Sequence, residues 1–247
     1  MFGQNSLHKV SKDVGETLEV VEVFHTLQGE GPFAGTPAVF VRLAHCNLRC
    51  YWCDTDFTTH ARTMTVDEVV QHVLSFTPQG PCSLVVITGG EPLLQDLEPL
   101  TSRLLSNGYR VQIETAGTVW QATMEFLPFS EDNVLIVCSP KTGRVHEDIA
   151  KRCWNWKYIV APDDCSPHDG LPCMSTQERG RSLKLFRPPV DYDMNTIWVQ
   201  PRHEYIGNDV TQPDAVANLR NAQHSARIAM KYGYRVSYQV HKALGLP

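Results

Sequence analysis

The sequence centres on Cys46-Asn47-Leu48-Arg49-Cys50-Tyr51-Trp52-Cys53-Asp54-Thr55, in which three thiols have C-x3-C-x2-C spacing. Thiols this close together can bind one compact, soft metal centre, because a short loop brings several thiolates to the same place. Three thiolates are one ligand short of a closed site, since structural zinc takes four protein ligands and an iron-sulfur cube is commonly bound by four cysteines. A metal centre with one open position is typical of catalysis.

Length and composition limit the possible classes of protein. The chain has 247 residues, of which 42% are hydrophobic, enough for one large α/β domain or two small ones. A formal charge of -5 and the lack of any Lys/Arg run predict no nucleic-acid partner, so small molecules or proteins are the expected partners. We see neither a signal peptide nor an apolar run of about 18 residues, which predicts a cytoplasmic protein without a membrane partner.

Strand and helix patterns alternate along the chain, which predicts an α/β fold with a parallel sheet. The predicted strands are 18–24, 38–44, 83–88, 110–114, 134–138, 156–160, 196–200 and 234–240. The predicted helices are 66–76, 96–106, 119–126, 145–152 and 211–232, the first opened by a capping box from Thr65 to Glu68. About six strands lead into helices, too few for the eight-unit barrel, so we predict an open, partial (βα)6 TIM-like barrel.

We interpret residues 1–247 as a single domain with two irregular parts. Residues 1–18 are polar and unpatterned, which indicates an arm or loop on the surface. Residues 161–195 are rich in Pro, Asp and Gly and form a predicted irregular insertion. In parallel folds the chemistry gathers at the carboxyl ends of the strands, and the cysteine stretch follows the second predicted strand.

Four further motifs also follow predicted strands: Gly89-Gly90-Glu91-Pro92, Glu114-Thr115-Ala116-Gly117-Thr118, Ser139-Pro140-Lys141 and Gln200-Pro201. Two glycines let a ligand approach the backbone closely, and the glutamate can accept hydrogen bonds from an ammonium group. Each motif alone is more often a turn or helix cap. A zinc site that uses His45 or a distant fourth ligand is the alternative for the thiols.

Together and in this order, the cysteine stretch and these motifs resemble the radical S-adenosylmethionine (radical SAM) superfamily, here with Ala116 in place of an Asn. The resemblance implies a partial barrel of the radical SAM type and a 4Fe-4S cluster bound by Cys46, Cys50 and Cys53, which would be the catalytic residues. It also implies that S-adenosylmethionine is bound by a set drawn from all the motifs: Tyr51, Trp52, Gly89, Gly90, Glu91, Glu114, Ser139, Lys141 and Gln200.

The segments flanking these motifs resemble the 7-carboxy-7-deazaguanine synthase family of queuosine and 7-deazapurine biosynthesis. They are Gln28-Gly29-Glu30-Gly31, Arg42 in an apolar strand, Trp52 to Thr55, and the terminal His241-Lys242-Ala243-Leu244-Gly245-Leu246-Pro247. The resemblance implies conversion of 6-carboxy-5,6,7,8-tetrahydropterin to 7-carboxy-7-deazaguanine with loss of ammonia. The alternatives are another radical SAM enzyme, such as a glycyl-radical-enzyme activase, and a zinc-binding module without catalysis.

The substrate implied by the resemblance fits the residue types. A guanidine-like pyrimidine edge needs paired acceptors and donors, and a carboxylate needs a cation. The expected substrate-binding residues are Gln28, Gly29, Glu30, Gly31, Arg42, Thr88, His241 and the α-carboxylate of Pro247. The resemblance further implies Mg2+ on the Thr55 hydroxyl, a flavodoxin or ferredoxin as reductant, and a homodimer.

Overall fold

A computed structural model of the chain describes residues 4–11, 15–76, 82–177, 184–188 and 193–247. Its strands, numbered along the chain, are β1 (Thr17–Leu27), β2 (Pro37–Leu43), β3 (Arg62–Thr65), β4 (Leu84–Gly89), β5 (Arg110–Thr115), β6 (Val134–Cys138), β7 (Asn155–Val160), β8 (Ile197–Pro201) and β9 (Arg235–Val236). Its helices are α1 (Val66–Ser75), α2 (Glu98–Ser106), α3 (Glu147–Arg152), α4 (Ala215–Tyr232) and α5 (Val240–Ala243). Among these described segments, none of the helices is both long and apolar enough to cross a membrane.

The described strands form one sheet in the order β3-β1-β2-β4-β5-β6-β7-β8-β9. The pairs β1·β2 and β1·β3 are antiparallel, and every pair from β2·β4 to β8·β9 is parallel. Six parallel strands of five to seven residues are followed by the two-residue β9, and β9 does not pair with β3 in the described sheet. The predicted α/β fold with an open, partial barrel is confirmed.

Side chains alternate between the two faces of the sheet, as strand geometry requires. Val39, Val41 and Leu43 of β2 pack with the helices in the main core, as do the odd-numbered residues 85, 87, 111 and 113 of the next two strands. The opposite face begins with a small apolar cluster, in which Ala38, Leu84 and Val86 contact Phe33 and Phe40. Further along these strands that inner face becomes polar, which places the polar groups at the carboxyl ends of the strands.

Local signals account for where the helices begin. Thr65 caps α1: its hydroxyl accepts from Glu68 N at 3.2 Å, and the Glu68 carboxylate accepts from Thr65 N at 2.7 Å. This confirms the predicted capping box. Asp214 accepts from Val216 N and Ala217 N at the start of α4. Helix α4 therefore begins four residues later than the predicted helix 211–232, because the Asp214 carboxylate binds the first N–H groups and so fixes where the helix starts.

Two predicted elements need correction, and one strand was not predicted. The helix predicted over 119–126 is a short 3-10 helix, Ala122–Phe126, and the strand predicted over 234–240 is reduced to Arg235–Val236. After this edge strand, Val240 begins a helix and its N–H donates to Gly29 O at 3.2 Å, so the chain turns back toward β1. The strand Arg62–Thr65, which has no sequence prediction, pairs with the start of β1.

Candidate active site

A cavity of about 510 Å³ opens at the carboxyl ends of the parallel strands. It is lined by most of the residues predicted from the sequence: Gln28, Glu30, Arg42, Cys46, Cys50, Trp52, Cys53, Thr55, Thr88, Gly89, Gly90, Glu114, Ser139, Lys141, Gln200, His241 and Pro247. Four predicted residues do not line it, namely Gly29, Gly31, Tyr51 and Glu91. The fold thus brings Asn5, Pro247 and residues of six strands to one site.

The cysteine loop, residues 46–55, enters the site directly after β2 and packs on the Gly-Gly turn. A Cβ added to Gly89, which has φ 141°, would lie 2.1 Å from Leu43 O, and one on Gly90 would lie 2.0 Å from His45 O. Glu91 N donates to His45 O at 2.9 Å. Both glycines are therefore required for the close approach of two backbone segments, whereas the sequence suggested only the approach of a ligand.

Glu91 is fully buried beneath this turn. Its carboxylate accepts from Thr115 Oγ1 at 2.7 Å, from Ala116 N at 2.8 Å and from Leu93 N at 3.2 Å. Burial raises the pKa of Glu91, and these hydrogen bonds oppose the rise. The side chain predicted to bind an ammonium group of the cofactor is thus occupied by internal donors, and it joins the Gly-Gly turn to the end of β5.

The three thiols of the cysteine loop share the cavity wall. Burial raises the pKa of the Cys46 thiol to about 12 and that of Cys53 to about 11. A metal centre that binds them must therefore displace protons. No three His, Cys, Asp or Glu side chains of the described ranges converge closely enough to hold a single metal ion. A cubane cluster makes a different demand, because each thiolate binds its own iron.

The N-terminal arm, residues 4–11 of the described chain, packs against the cysteine loop. Asn5 is buried; its side chain donates to Leu48 O at 2.9 Å, and its own carbonyl accepts from Arg49 Nε at 2.8 Å. His8 N donates to Cys46 O at 2.9 Å, and the His8 ring stacks on that of His45 with centroids 4.0 Å apart. The arm predicted from the polar sequence is therefore part of the site wall.

Two carboxylates and one ammonium group form a buried acid network, defined here as Glu30, Lys157 and Glu114. Lys157 Nζ donates to Glu114 Oε2 at 3.1 Å and to Glu30 Oε2. The side chain of Lys157 is 6% exposed, and those of Glu30 and Glu114 are 14% and 18% exposed. Burial alone would raise the pKa of Glu30, but the charge of Lys157 and hydrogen bonds from Lys157 and Gln239 hold it below its ordinary value.

Amide side chains complete this network. Gln28 Nε2 and Gln112 Nε2 both donate to Glu114 Oε1, at 3.1 and 2.9 Å, while Gln28 Oε1 accepts from Glu30 N at 3.0 Å. Glu114, predicted among the cofactor-binding residues, thus lies with Gln28 and Glu30, which were predicted to bind substrate. The network leaves one net negative charge facing the cavity.

Cationic groups line other parts of the cavity. Arg42 lies opposite Glu22 across β1 and β2, with Arg42 Nε 2.6 Å from Glu22 Oε1. The partly buried Lys141 donates to Ser139 O at 3.1 Å and to Ser139 Oγ, and its Nζ lies 5.5 Å from the centre of the Trp52 ring. Burial lowers the pKa of Lys141, and the nearby Lys157 charge lowers it further.

The C-terminal segment, residues 239–247, lies along the cavity. A Cβ on Gly29 would be 1.7 Å from His241 Nδ1, so Gly29 is needed to admit this histidine. Lys242 Nζ donates to Asp54 Oδ2 in the cysteine loop at 2.9 Å. Thr26 Oγ1 donates to the terminal Pro247 O at 3.1 Å. The last residues are thereby tied to β1 and to the cysteine loop.

Several residues of the site were missed by the sequence analysis, chiefly Lys157, Gln239, Tyr205 and Glu22. Lys157 carried a detectable signal, because a lysine within an apolar strand needs a partner for its buried charge. Tyr205 donates to Asp54 Oδ2 at 2.9 Å but follows β8 in a region without a pattern. Its position depends on the three-dimensional fold alone.

Comparisons with known proteins define the class of this site. Residues 41–151 match the model of the radical SAM superfamily, and the partial barrel with three thiols at its carboxyl edge is that of a radical SAM enzyme. Enzymes of this superfamily use a 4Fe-4S cluster and S-adenosylmethionine, so both are cofactors of this protein. The chain is 45% identical to the 7-carboxy-7-deazaguanine synthase of Rhodospirillum rubrum over 99% of both chains. It belongs to the 7-carboxy-7-deazaguanine synthase family.

Two further relatives agree with this assignment. The 7-carboxy-7-deazaguanine synthase of Rickettsia prowazekii is 34% identical over all of this chain and 96% of its own length. The crystal structure of QueE from Escherichia coli superposes with a TM-score of 0.60 at 25% identity, covering 90% of this chain and 94% of the other. The family resemblance predicted from the motifs is confirmed, and it decides against both a zinc-binding module and a glycyl-radical-enzyme activase.

Proposed function

We propose that this enzyme converts 6-carboxy-5,6,7,8-tetrahydropterin to 7-carboxy-7-deazaguanine and ammonia, the reaction implied by its family. The observation that supports the proposal most strongly is that the cysteine loop and the acid network face one cavity at the carboxyl edge of the barrel. Such a cavity can hold a cofactor beside a substrate that carries both a pyrimidine edge and a carboxylate. The cofactors supply the radical chemistry that rearranges the carbon skeleton, and the protein binds and orients the substrate.

Cys46, Cys50 and Cys53 would hold the cluster, and its open iron would receive S-adenosylmethionine. When bound, these groups supply the 5'-deoxyadenosyl radical that removes a hydrogen atom from the substrate. The Gly89-Gly90 turn, Ser139, Lys141 and Gln200 would surround S-adenosylmethionine, and Trp52 would cover it from the loop. Glu91 acts indirectly in this proposal, because its carboxylate holds the turn against β5.

The acid network would bind the pyrimidine edge of the substrate. A 2-aminopyrimidinone presents N–H donors side by side. Unlike Glu91, Glu30 and Glu114 line the cavity, and a carboxylate has about four acceptor sites, so beyond their internal donors both can accept from the substrate. Lys157 keeps Glu30 ionised by lowering its pKa. We therefore assign Glu114 to the substrate and not to the cofactor.

The substrate carboxylate would lie on the cationic side of the cavity. Arg42, which already pairs with Glu22, is the cation assigned to this role, and Lys141 also lines the cavity. His241 lines the cavity too, but it interacts with Glu30 and Glu114 of the acid network, and burial lowers its pKa. Mg2+ would bind the Thr55 hydroxyl together with oxygens of the substrate, since this ion prefers oxygen ligands and few of them from protein. The α-carboxylate of Pro247, held by Thr26, would complete the substrate site.

The enzyme needs an external one-electron donor, for which a flavodoxin or ferredoxin is the expected class. We also propose a cytoplasmic homodimer. An exposed apolar face on α4 supports a dimer: Val216, Leu219 and Met230 share one side of the helix and are 81%, 61% and 79% exposed. Light scattering of the purified protein would test the dimer, and a monomer at micromolar concentration would contradict it.

The function is tested by incubating anaerobically reconstituted enzyme with the carboxypterin, S-adenosylmethionine, Mg2+ and a reductant. We expect the deazaguanine product and ammonia in equal amounts. Replacing any one of Cys46, Cys50 and Cys53 by Ala should abolish turnover. Full activity in such a variant, or no product from a wild-type enzyme with an intact cluster, would refute the proposed reaction.

A further inference from the structure

Two side chains of the insertion, residues 161–195, contact the cysteine loop. Gln177 Nε2 lies 3.3 Å from Cys50 Sγ, and Thr176 Oγ1 lies 3.0 Å from the same sulfur. The backbone joins the two segments as well: Tyr51 N donates to Thr176 O at 3.2 Å, and Arg49 N donates to Gln177 Oε1 at 2.7 Å. Residues 125 or more positions apart in sequence are therefore joined at one place.

The surroundings of Cys50 differ from those of the other two thiols. Cys46 Sγ accepts from Leu48 N at 3.4 Å, and Cys53 Sγ accepts from the Thr55 backbone, so both contacts lie within the cysteine loop. Cys50 is contacted by side chains from a distant segment. The Gln177 amide also donates to Thr176 Oγ1 at 2.8 Å, and the Thr176 hydroxyl also lies 3.3 Å from Lys141 O. A thiolate can only accept, so the shorter contact of the hydroxyl and the second N–H of the amide are the donors available to Cys50 once it binds iron.

The insertion is anchored beside these two residues, so their donors are held in place. Ser175 Oγ and Thr176 N both donate to Lys141 O at 3.1 Å. In the described residues 184–188, Phe186 N donates to Thr142 O at 3.0 Å, and the buried Leu185 packs in the main core. Both described flanks of the insertion are thus fixed to the segment that follows β6.

We propose that Thr176 and Gln177 are positioning residues that raise the reduction potential of the cluster through the sulfur of Cys50. One electron from the external donor adds one negative charge to the cluster and its thiolates. Donors aimed at a ligating sulfur stabilise this more negative state more than the oxidised one, and hydrogen bonds to sulfur are among the factors that set such potentials. The inference rests on the cluster assigned to the cysteine loop under the proposed function.

The test is a redox titration of the reconstituted cluster, followed by its visible absorption and by EPR of the reduced state. We expect T176V/Q177L to lower the ratio of reduced to oxidised cluster about tenfold at a fixed solution potential, equivalent to about 59 mV for one electron. T176S keeps the hydroxyl and should retain the wild-type ratio. Q177E keeps an oxygen for Arg49 N but removes the amide donor and adds a negative charge, so it should lower the ratio at least as much as Q177L.

S175A is the matched control, because Ser175 anchors the insertion but does not contact sulfur. Its cluster should titrate like the wild type. If T176V/Q177L does not assemble a cluster, T176V and Q177E are titrated singly, each leaving one anchor in place. A wild-type titration in these variants, or a shift in S175A as large as in T176V/Q177L, would overturn the inference. A wild-type protein without four irons and sulfides per chain would instead refute the proposed cluster itself.

Discussion

Removing the ammonium group of Lys157 leaves two buried carboxylates without their shared counter-charge. In K157M, Glu30 and Glu114 would retain amide donors, from Gln239 and from Gln28 and Gln112 respectively. Breaking a buried ion pair by removing one partner costs about 3–5 kcal/mol, and these retained hydrogen bonds favour the lower end, about 3 kcal/mol. For a protein of this size, 1 kcal/mol shifts Tm by about 2–4 °C, so Tm should fall by about 6–12 °C.

The pH dependence of stability provides a sharper test, because its sign should reverse. In the wild type the pKa of Glu30 lies below its ordinary value of 4.5, so its contribution to stability is full above that pH and is lost as pH falls further. Without Lys157, burial becomes the dominant influence and raises the pKa of Glu30. Stability of K157M should then increase as pH falls from neutral toward 4.5, where the wild type gains nothing from Glu30.

Thermal unfolding of anaerobically reconstituted protein between pH 4.5 and 8 measures both effects. K157R keeps the charge and should lose less than half as much stability as K157M. K157M/E30Q/E114Q removes the uncompensated charges and should recover most of the loss, because amides need no counter-charge. A Tm of K157M equal to that of the wild type at pH 7, or the same dependence of Tm on pH, would refute the assignment of the acid network.

Three further substitutions or extensions test other parts of the structure. Thr65→Ala removes the cap of α1 and should cost about 1 kcal/mol, seen as a Tm lower by about 2–4 °C with unchanged iron content; an unchanged Tm would contradict the cap. Gly90→Ala places a Cβ 2.0 Å from His45 O and should greatly reduce the iron bound after reconstitution, while full iron content would contradict the packing of the turn on the cysteine loop. A short extension beyond Pro247 should raise KM for the pterin and leave the iron content unchanged, whereas the same extension at the N-terminus serves as the control; equal KM values for the two would exclude a role of the chain end in substrate binding.

Features set by short-range patterns could be predicted from the sequence. The buried strands, the α1 capping box and the order of motifs depend on residues near one another in the chain, and the structure has them where the pattern indicated. The C-terminal strand was predicted too long for a related reason: its apolar residues fit a strand, but in the described sheet β9 has a neighbour on one side only. After Val236 the chain leaves the sheet and packs across Gly29, a contact 211 residues away that no local pattern reveals.

The sequence indicated where glycine is needed, but it did not indicate which groups lie against each glycine. The sequence predicted that a ligand approaches the backbone at the Gly-Gly turn, and it predicted Gly29 as a substrate-binding residue. The neighbours are the backbone of Leu43 and His45 in one case and the His241 ring in the other. A glycine shows that space is needed, but its occupant is set by tertiary packing. Lys157 illustrates the opposite case, because its buried charge required partners that the sequence left unnamed.

The cysteine loop is ten residues long and has no helix or strand, yet at least six separate parts of the chain hold it, including Thr118 after β5 and Tyr205 after β8. The N-terminal arm binds Leu48 and Cys46, the Gly-Gly turn binds His45 just before it, the insertion contacts Cys50, and Lys242 of the C-terminal segment binds Asp54. Ordering each backbone residue costs about 1–2 kcal/mol, so a free loop of this length would oppose cluster assembly strongly. These contacts offset that cost before any iron arrives. A cluster bound by three thiolates attaches to the protein through one bond fewer than a cluster bound by four. The rest of the fold must therefore contribute more to holding the cysteine loop in place.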